Sequence, residues 1–149
     1  MKNIQKILKK KKYIKIKLKK IATNHLELKG KINGVKGRFI LDTGASNSCV
    51  SLDLIAYFKL DAKESDTKAA GAGATDMETQ QSDNNLLVIG DWKTKKCHLV
   101  LFNLSHVNTA LVQHKAKEVH GIIGADILQK GKAFIDYNRN VLYLKKTKK

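Results

Sequence analysis

Residues 37–51 read GRFILDTGASNSCVS, and the centre of this stretch decides how the rest of the chain is interpreted. An apolar run at 39–41 leads directly into the acidic residue Asp42 and then into Thr43-Gly44, where the backbone can turn freely. A carboxylate at the end of a buried strand costs free energy, because burial removes water from its charge. Asp42 is therefore a candidate functional residue. The alternative is that Asp42 is only a turn residue, whose carboxylate accepts hydrogen bonds from local backbone N–H groups.

Length and charge bound the organisation of the chain. The 149 residues predict one domain with a real core, and the net charge of +16 is uneven. Residues 1–20 hold ten lysines and residues 145–149 hold four, so residues 21–144 carry only +2. A nucleic-acid-binding fold would instead carry its charge on one face. We therefore expect a lysine-rich N-terminal segment (1–20), a folded domain (21–144) and a basic C-terminal tail (145–149).

The lysines at the start also bear on location and redox state. They interrupt the first twenty residues before an apolar signal region can form, which predicts a cytoplasmic protein. Cys49 and Cys97 are isolated in the sequence, so we expect reduced, buried structural thiols. The five histidines lack metal-ligand spacing, and no metal or other cofactor is expected.

Apolar periodicity predicts many short strands. Ile14, Ile16 and Leu18 alternate with lysines as in a strand, and Asn33-Gly34 is a strong hairpin signal before a return strand at 35–41. Helical spacing favours a short basic helix around Ile4, Ile7 and Leu8 and brief helical turns at 52–60 and 125–129. Residues 61–85 are polar and Gly/Ala-rich, which fits either a hairpin tip that moves or a linker, and they precede a strand at 86–89. Residues 132–144 predict a final hairpin. The pattern indicates a mostly β small barrel or sandwich.

Four motifs, in this chain order, resemble those of the retropepsin-like aspartic proteases of the cellular and bacterial type with a single Asp-Thr-Gly. They are FILDTGAS (39–46), AAGAGAT (69–75), GIIGADIL (121–128) and FIDYNRNVLYL (134–144). Each motif is weak alone, and their combination is specific. The resemblance implies that residues 21–144 form a protease domain. It also implies a small closed β-barrel with one or two short helices, two copies of which pair as a homodimer.

The resemblance also implies a site. Two copies of Asp42 would lie together, share one proton and activate water against a peptide bond, as in the aspartic protease dyad, the usual example of this chemistry. Thr43 would hydrogen-bond across to the partner loop, and Gly44 would permit the tight turn. The implied peptide- or protein-substrate contacts are Ala45, Gly71, Ala72, Gly73, Ile123 and Gly124. Of these, Gly71 and Gly73 would lie in a flap that closes over an extended substrate, although a plain linker is the alternative there.

The chain departs from the family pattern at several positions. It has one Asp-Thr-Gly, and neither Asp126 nor Asp136 is followed by Thr-Gly, so a single chain supplies half a dyad. Ser46 and Ala125 stand where retroviral members usually have an acid and an arginine that pair with each other. Loss of both partners avoids a stranded charge, but it removes a pair that braces the dimer interface.

A second function is compatible with the same residues. The chain could keep the barrel and the dimer as a non-catalytic binding module that uses its cleft or its basic tail for a partner. Clustered lysines release counterions on binding, so the tails predict weak electrostatic binding of nucleic acid or anionic lipid.

Overall fold

A computed structural model of the chain describes residues 2–64 and 79–146. The helices in these residues are α1 (Lys2–Lys10), α2 (Ser105–Gln113) and α3 (Ala125–Lys130), with a 3₁₀ turn at Leu52–Leu54. The strands are β1 (Tyr13–Lys17), β2 (Lys19–Lys20), β3 (Leu26–Ile32), β4 (Val35–Leu41), β5 (Cys49–Ser51), β6 (Ala62–Glu64), β7 (Gln80–Ile89), β8 (Trp92–Phe102), β9 (Gly121–Ile123), β10 (Phe134–Asp136) and β11 (Val141–Lys145).

Six of these strands close into a barrel in the order β3–β4–β9–β5–β8–β7. The barrel closes where β7 returns to β3, through the pairs Lys31–Val88 and Ile32–Leu87. The β4–β9 and β5–β8 pairs are parallel, and the other four are antiparallel. The predicted mostly β closed barrel is confirmed. The β3–β4 hairpin turns at Asn33-Gly34 as predicted, with φ of 52° and 85°.

The barrel interior is filled by alternate side chains of its strands. Phe39, Phe58 and Trp92 are almost fully buried, and the rings of Phe39 and Phe58 stack with centroids 6.2 Å apart. The Trp92 indole N–H donates a 2.9 Å hydrogen bond to the carbonyl of Lys145. This bond ties the barrel to the C-terminal strand.

The three-stranded sheet β1–β11–β10 packs beside the barrel. Leu142 and Leu144 of β11 join the barrel core, whereas Val141 and Tyr143 face the other way and contact Leu8 of α1. The lysine-rich start therefore contributes a helix and a strand, and the expected boundary at residue 20 stays a prediction. None of the helices in the described residues is long and apolar enough to span a membrane.

The structure differs from the sequence expectations at β6, β7 and α2. The strand expected to begin at Leu86 begins at Gln80, and Ala62–Glu64 forms β6, which was not predicted. The polar start of β7 is stable as a strand because Asn85 donates hydrogen bonds to Ser82 Oγ and to the Cys97 carbonyl. α2 was not predicted, and with α3 it gives the described part of residues 21–144 the two short α-helices that the resemblance implies.

Candidate active site

Asp42 lies where two parallel strands end side by side. Phe39 to Leu41 at the end of β4 are buried, and Leu41 pairs with Ile123 at the end of β9. The Asp42 amide N–H extends this ladder with a 3.0 Å hydrogen bond to the Ile123 carbonyl. The loops after the two strands, which begin at Asp42 and Gly124, therefore start next to each other.

A tight turn holds the Asp42 carboxylate. The Gly44 N–H donates to Asp42 Oδ1 at 2.9 Å, and the Ala45 N–H donates to the Asp42 carbonyl at 3.2 Å. Within residues 2–64 and 79–146, Gly44 is the only hydrogen-bond donor to this carboxylate. Asp42, Thr43 and Gly44 are exposed. The turn predicted by the alternative hypothesis, in which Asp42 is only a turn residue, is thus present. It leaves the carboxylate open to solvent.

Gly124 allows the second loop to approach the first. The Ala125 N–H donates to the Ala45 carbonyl at 2.7 Å. A Cβ added at Gly124 would lie 2.6 Å from that carbonyl oxygen and 3.1 Å from the Ala45 Cβ. Real contacts between a Cβ and an oxygen are longer than 2.6 Å, so a side chain at position 124 would push the two loops apart.

Asp126 links the same two loops through hydrogen bonds to Ser48. Its carboxylate accepts hydrogen bonds from the Ser48 N–H, at 3.0 Å to both oxygens, and from Ser48 Oγ at 2.7 Å. Ser48 Oγ in turn accepts the Gly124 N–H at 2.8 Å. Asp126 lies in the first turn of α3, where the helix dipole favours a negative charge. Asp126 therefore has a positioning role.

Sequence reasoning weighed Asp126 only as a second catalytic acid and did not identify Ser48. No signal in the single sequence identifies Ser48, because its partner Asp126 lies 78 positions away.

The environment beneath the loop is apolar. Burial raises the pKa of Cys49 to about 12, and the charges of Asp126 and Asp42 act in the same direction. Burial likewise raises the pKa of Cys97 to about 12. Both thiols are therefore neutral and unreactive at physiological pH. In the parts of the chain that the structure describes, no three His, Cys, Asp or Glu side chains are placed to hold a metal ion.

The structure brings together six of the nine residues that the sequence assigned to the site. The six are Asp42, Thr43, Gly44, Ala45, Ile123 and Gly124. The other three, Gly71, Ala72 and Gly73, lie outside the described residues. The strands that flank them, β6 and β7, are antiparallel and pair Glu64 with Gln80.

An ion-pair cluster lies across β6, β7 and β8. The Lys63 ammonium of β6 is 3.0 Å from Asp83 Oδ2 of β7, and His98 Nδ1 of β8 is 2.6 Å from Asp83 Oδ1. The hydrogen bond from His98, followed by that from Lys63, holds the pKa of Asp83 below its usual value. The cluster joins β6, β7 and β8 to one another.

Residues 28–127 match the aspartyl protease family. The chain belongs to that family. The match begins in β3 and ends in α3, so it contains both site loops and lies inside the predicted domain at 21–144. No curated protein sequence matches the chain.

Solved structures show that the family fold here is the retropepsin-like one. A retropepsin-like aspartic protease from Rickettsia conorii has 20% identity and a TM-score of 0.59, with 89% of each chain covered. EIAV protease, solved with the inhibitor HBY-793, has 20% identity and a TM-score of 0.55 over 74% of this chain and 90% of its own. The retroviral protease-like domain of Ddi1 from Leishmania major has 17% identity and a TM-score of 0.56, over 80% and 87%. Family and fold together support a protease function.

Proposed function

We propose that the chain is a homodimeric aspartic endopeptidase in which each of two identical subunits contributes Asp42 as its catalytic residue. The observation that supports this most directly is an exposed carboxylate fixed at the adjoining ends of β4 and β9. A structural acid would be surrounded by donors, as the half-buried Asp126 is, whereas Asp42 has one donor from the described residues and faces solvent.

The proposed reaction needs no metal and no covalent intermediate. Two carboxylates within hydrogen-bond distance cannot both ionise, so one is charged and the other carries the proton. The charged carboxylate takes a proton from water, whose oxygen attacks the peptide carbonyl carbon, while the protonated carboxyl donates its proton to the carbonyl oxygen. A proton then passes to the leaving nitrogen as the C–N bond breaks. Thr43 fixes the angle between the two loops by a hydrogen bond to the partner.

The proposed substrate is an extended peptide segment of a protein. It would lie along Ala45, Ile123 and Gly124, whose backbone groups border the Asp42 loop. Gly71, Ala72 and Gly73 are proposed as the flap, because they connect two strands that are already paired on either side of them. A cytoplasmic location remains part of this proposal.

The proposed partner surface is the groove beside Thr43. Thr43, Ala125 and Leu128 line this groove. A second copy related by a two-fold axis would meet this groove and bring the Asp42 loops together. Since Ser46 and Ala125 supply no ion pair, we expect the dimer to be held by backbone and apolar contacts.

The decisive experiment replaces Asp42 with Asn in the full chain. Asp42→Asn is expected to abolish cleavage of a mixed peptide library and to leave the circular dichroism spectrum and the oligomeric state unchanged. Asp91→Asn, in the exposed β7–β8 turn, is the matched control and is expected to retain activity. Cleavage that survives Asp42→Asn in a pure preparation would end the proposal.

A mixing experiment tests whether the site is shared between subunits. When equal amounts of Asp42→Asn chain are added to wild type and subunits exchange, activity should fall to about half, because mixed dimers are inactive. Unchanged activity in exchanging samples would show that one chain suffices. Tight binding of a statine-type inhibitor, together with no cleavage of any peptide in the library, would favour the binding-module alternative.

A further inference from the structure

Exposed apolar side chains are concentrated at one place on the surface, which does not include the Asp42 loop. In the described part of the chain, four of the six large hydrophobic residues that are exposed lie on α1 or at the β10 strand and turn, namely Ile4 (53% exposed), Ile7 (53%), Phe134 (54%) and Tyr137 (69%). Ile4, Phe134 and Tyr137 line a single groove of about 400 Å³. We call these four residues the α1 surface.

The α1 surface has a fixed geometry. Leu8 is buried against Val141 and Tyr143 and holds the helix on the three-stranded sheet. Tyr13, just after α1, contacts the Phe134 ring edge-on at 5.4 Å and donates a hydrogen bond to the Lys132 carbonyl at 2.9 Å. The isoleucines and the aromatic rings are therefore presented by packed elements.

Two polar groups in the same groove have no partner. Gln5 and Tyr143 both line it, and neither the Gln5 Nε2 nor the buried Tyr143 hydroxyl has a hydrogen-bond partner among the described residues. Unsatisfied buried donors are rare, because each has given up its hydrogen bonds to water. Together with the apolar lining, they indicate that the groove accommodates a molecule with both apolar and acceptor groups.

The charge around the α1 surface indicates which molecule that is. The helix contains no acid, and helical periodicity puts Lys6 and Lys9 on the side away from Ile4 and Ile7. Five further lysines line a concave surface next to Tyr13, namely Lys12, Lys130, Lys132, Lys145 and Lys146. A helix with lysines on one face and exposed isoleucines on the other has the character of a helix that lies in a membrane interface.

We propose that the α1 surface docks on an anionic lipid surface. Ile4, Ile7 and Phe134 enter the boundary between headgroups and acyl chains, and the lysines bind phosphate and carboxylate headgroups. A second copy is the poorer occupant of this surface, because it would bring one acid-free lysine helix against another. Nucleic acid is also poorer, since phosphates would pair with lysines but leave both isoleucines in water.

Vesicle sedimentation with the full chain tests this proposal. Binding is expected to phosphatidylcholine vesicles that contain phosphatidylserine, and not to pure phosphatidylcholine, and to weaken as salt rises from about 50 to about 300 mM. Ile4→Ser/Ile7→Ser should reduce the partition coefficient on the order of tenfold. Val112→Ser is the matched control, because Val112 on α2 is 54% exposed outside this surface, and it should bind like wild type.

Lysine variants and two further readouts separate the alternatives. Lys6→Gln/Lys9→Gln should weaken binding on the order of tenfold, and more than the charge-matched Lys95→Gln/Lys117→Gln. Wild-type binding by the isoleucine variant would overturn the proposal, as would equal binding to neutral vesicles. If the chain binds single-stranded RNA more tightly than vesicles, and the isoleucine substitutions do not change that binding, the surface would be assigned to nucleic acid. Loss of self-association in the isoleucine variant, without vesicle binding by wild type, would assign it to a second copy.

The docking proposal can be overturned without affecting the catalytic proposal, and the reverse also holds. Asp42→Asn chain is expected to bind vesicles as wild type does, because Asp42 is not part of the α1 surface. Protease activity without vesicle binding would overturn the docking proposal alone.

Discussion

Replacement of Ser48 with Ala tests the hydrogen-bond network that positions the Asp42 loop. The substitution removes the 2.7 Å hydrogen bond to Asp126 and leaves the buried Gly124 N–H without its 2.8 Å acceptor. A hydrogen bond to a charged group contributes about 1.5–3 kcal/mol, and an unsatisfied buried donor costs about 1–3 kcal/mol. The two effects share one side chain and are not additive, so we expect the free energy of unfolding to fall by about 2–4 kcal/mol.

Urea unfolding followed by tryptophan fluorescence measures this change. Trp92 is the only tryptophan and is fully buried, so its emission reports the loss of the core. Ser46→Ala is the matched control, since Ser46 is exposed two residues earlier and should change stability by less than about 0.5 kcal/mol. A double-mutant cycle with Asp126→Asn should show a coupling of about 1 kcal/mol or more. A Ser48→Ala effect as small as that of Ser46→Ala would refute the positioning role.

Three further predictions concern packing, pH and thiol chemistry. Gly124→Ala should destabilise the fold by about 1–3 kcal/mol in urea and lower the cleavage rate, because its Cβ would press on the Ala45 carbonyl. Burial lowers the pKa of His120 in the folded state, so the unfolded chain takes up the proton first. Stability should therefore fall as pH drops below about 6.5, and a chain with His120→Gln should show a shallower slope in pH-dependent melting. Cys49 and Cys97 should react with a thiol reagent only after unfolding, and fast labelling of the native protein would contradict their burial.

Much of the fold could be predicted because local signals and the final packing agree. Asn33-Gly34 forms the turn that its positive φ angles require, and the apolar run before Asp42 is the buried end of β4. α2 was missed because its apolar residues are poorly spaced and only Leu111 is buried. The start of β7 was missed because Ser82 and Asn85 are polar residues whose burial depends on hydrogen bonds with each other and with β8.

In the candidate site, too, local features could be predicted and a long-range contact could not. Asp42, Thr43 and Gly44 are contiguous, so a motif identifies them. Ser48 and Asp126 are seventy-eight positions apart, and their contact exists only because β4, β9 and β5 lie next to one another. A contact of this kind has no period or spacing that a single sequence can display.

The central place of β11 in its sheet affects how the protein could be regulated. Because β1 and β10 pair with the two sides of β11, this C-terminal strand completes its hydrogen bonding within one subunit. Under the proposed shared site, a lone subunit is then expected to stay folded without the second aspartate. The concentration of the chain would control its activity, so specific activity should rise with concentration until every subunit is paired.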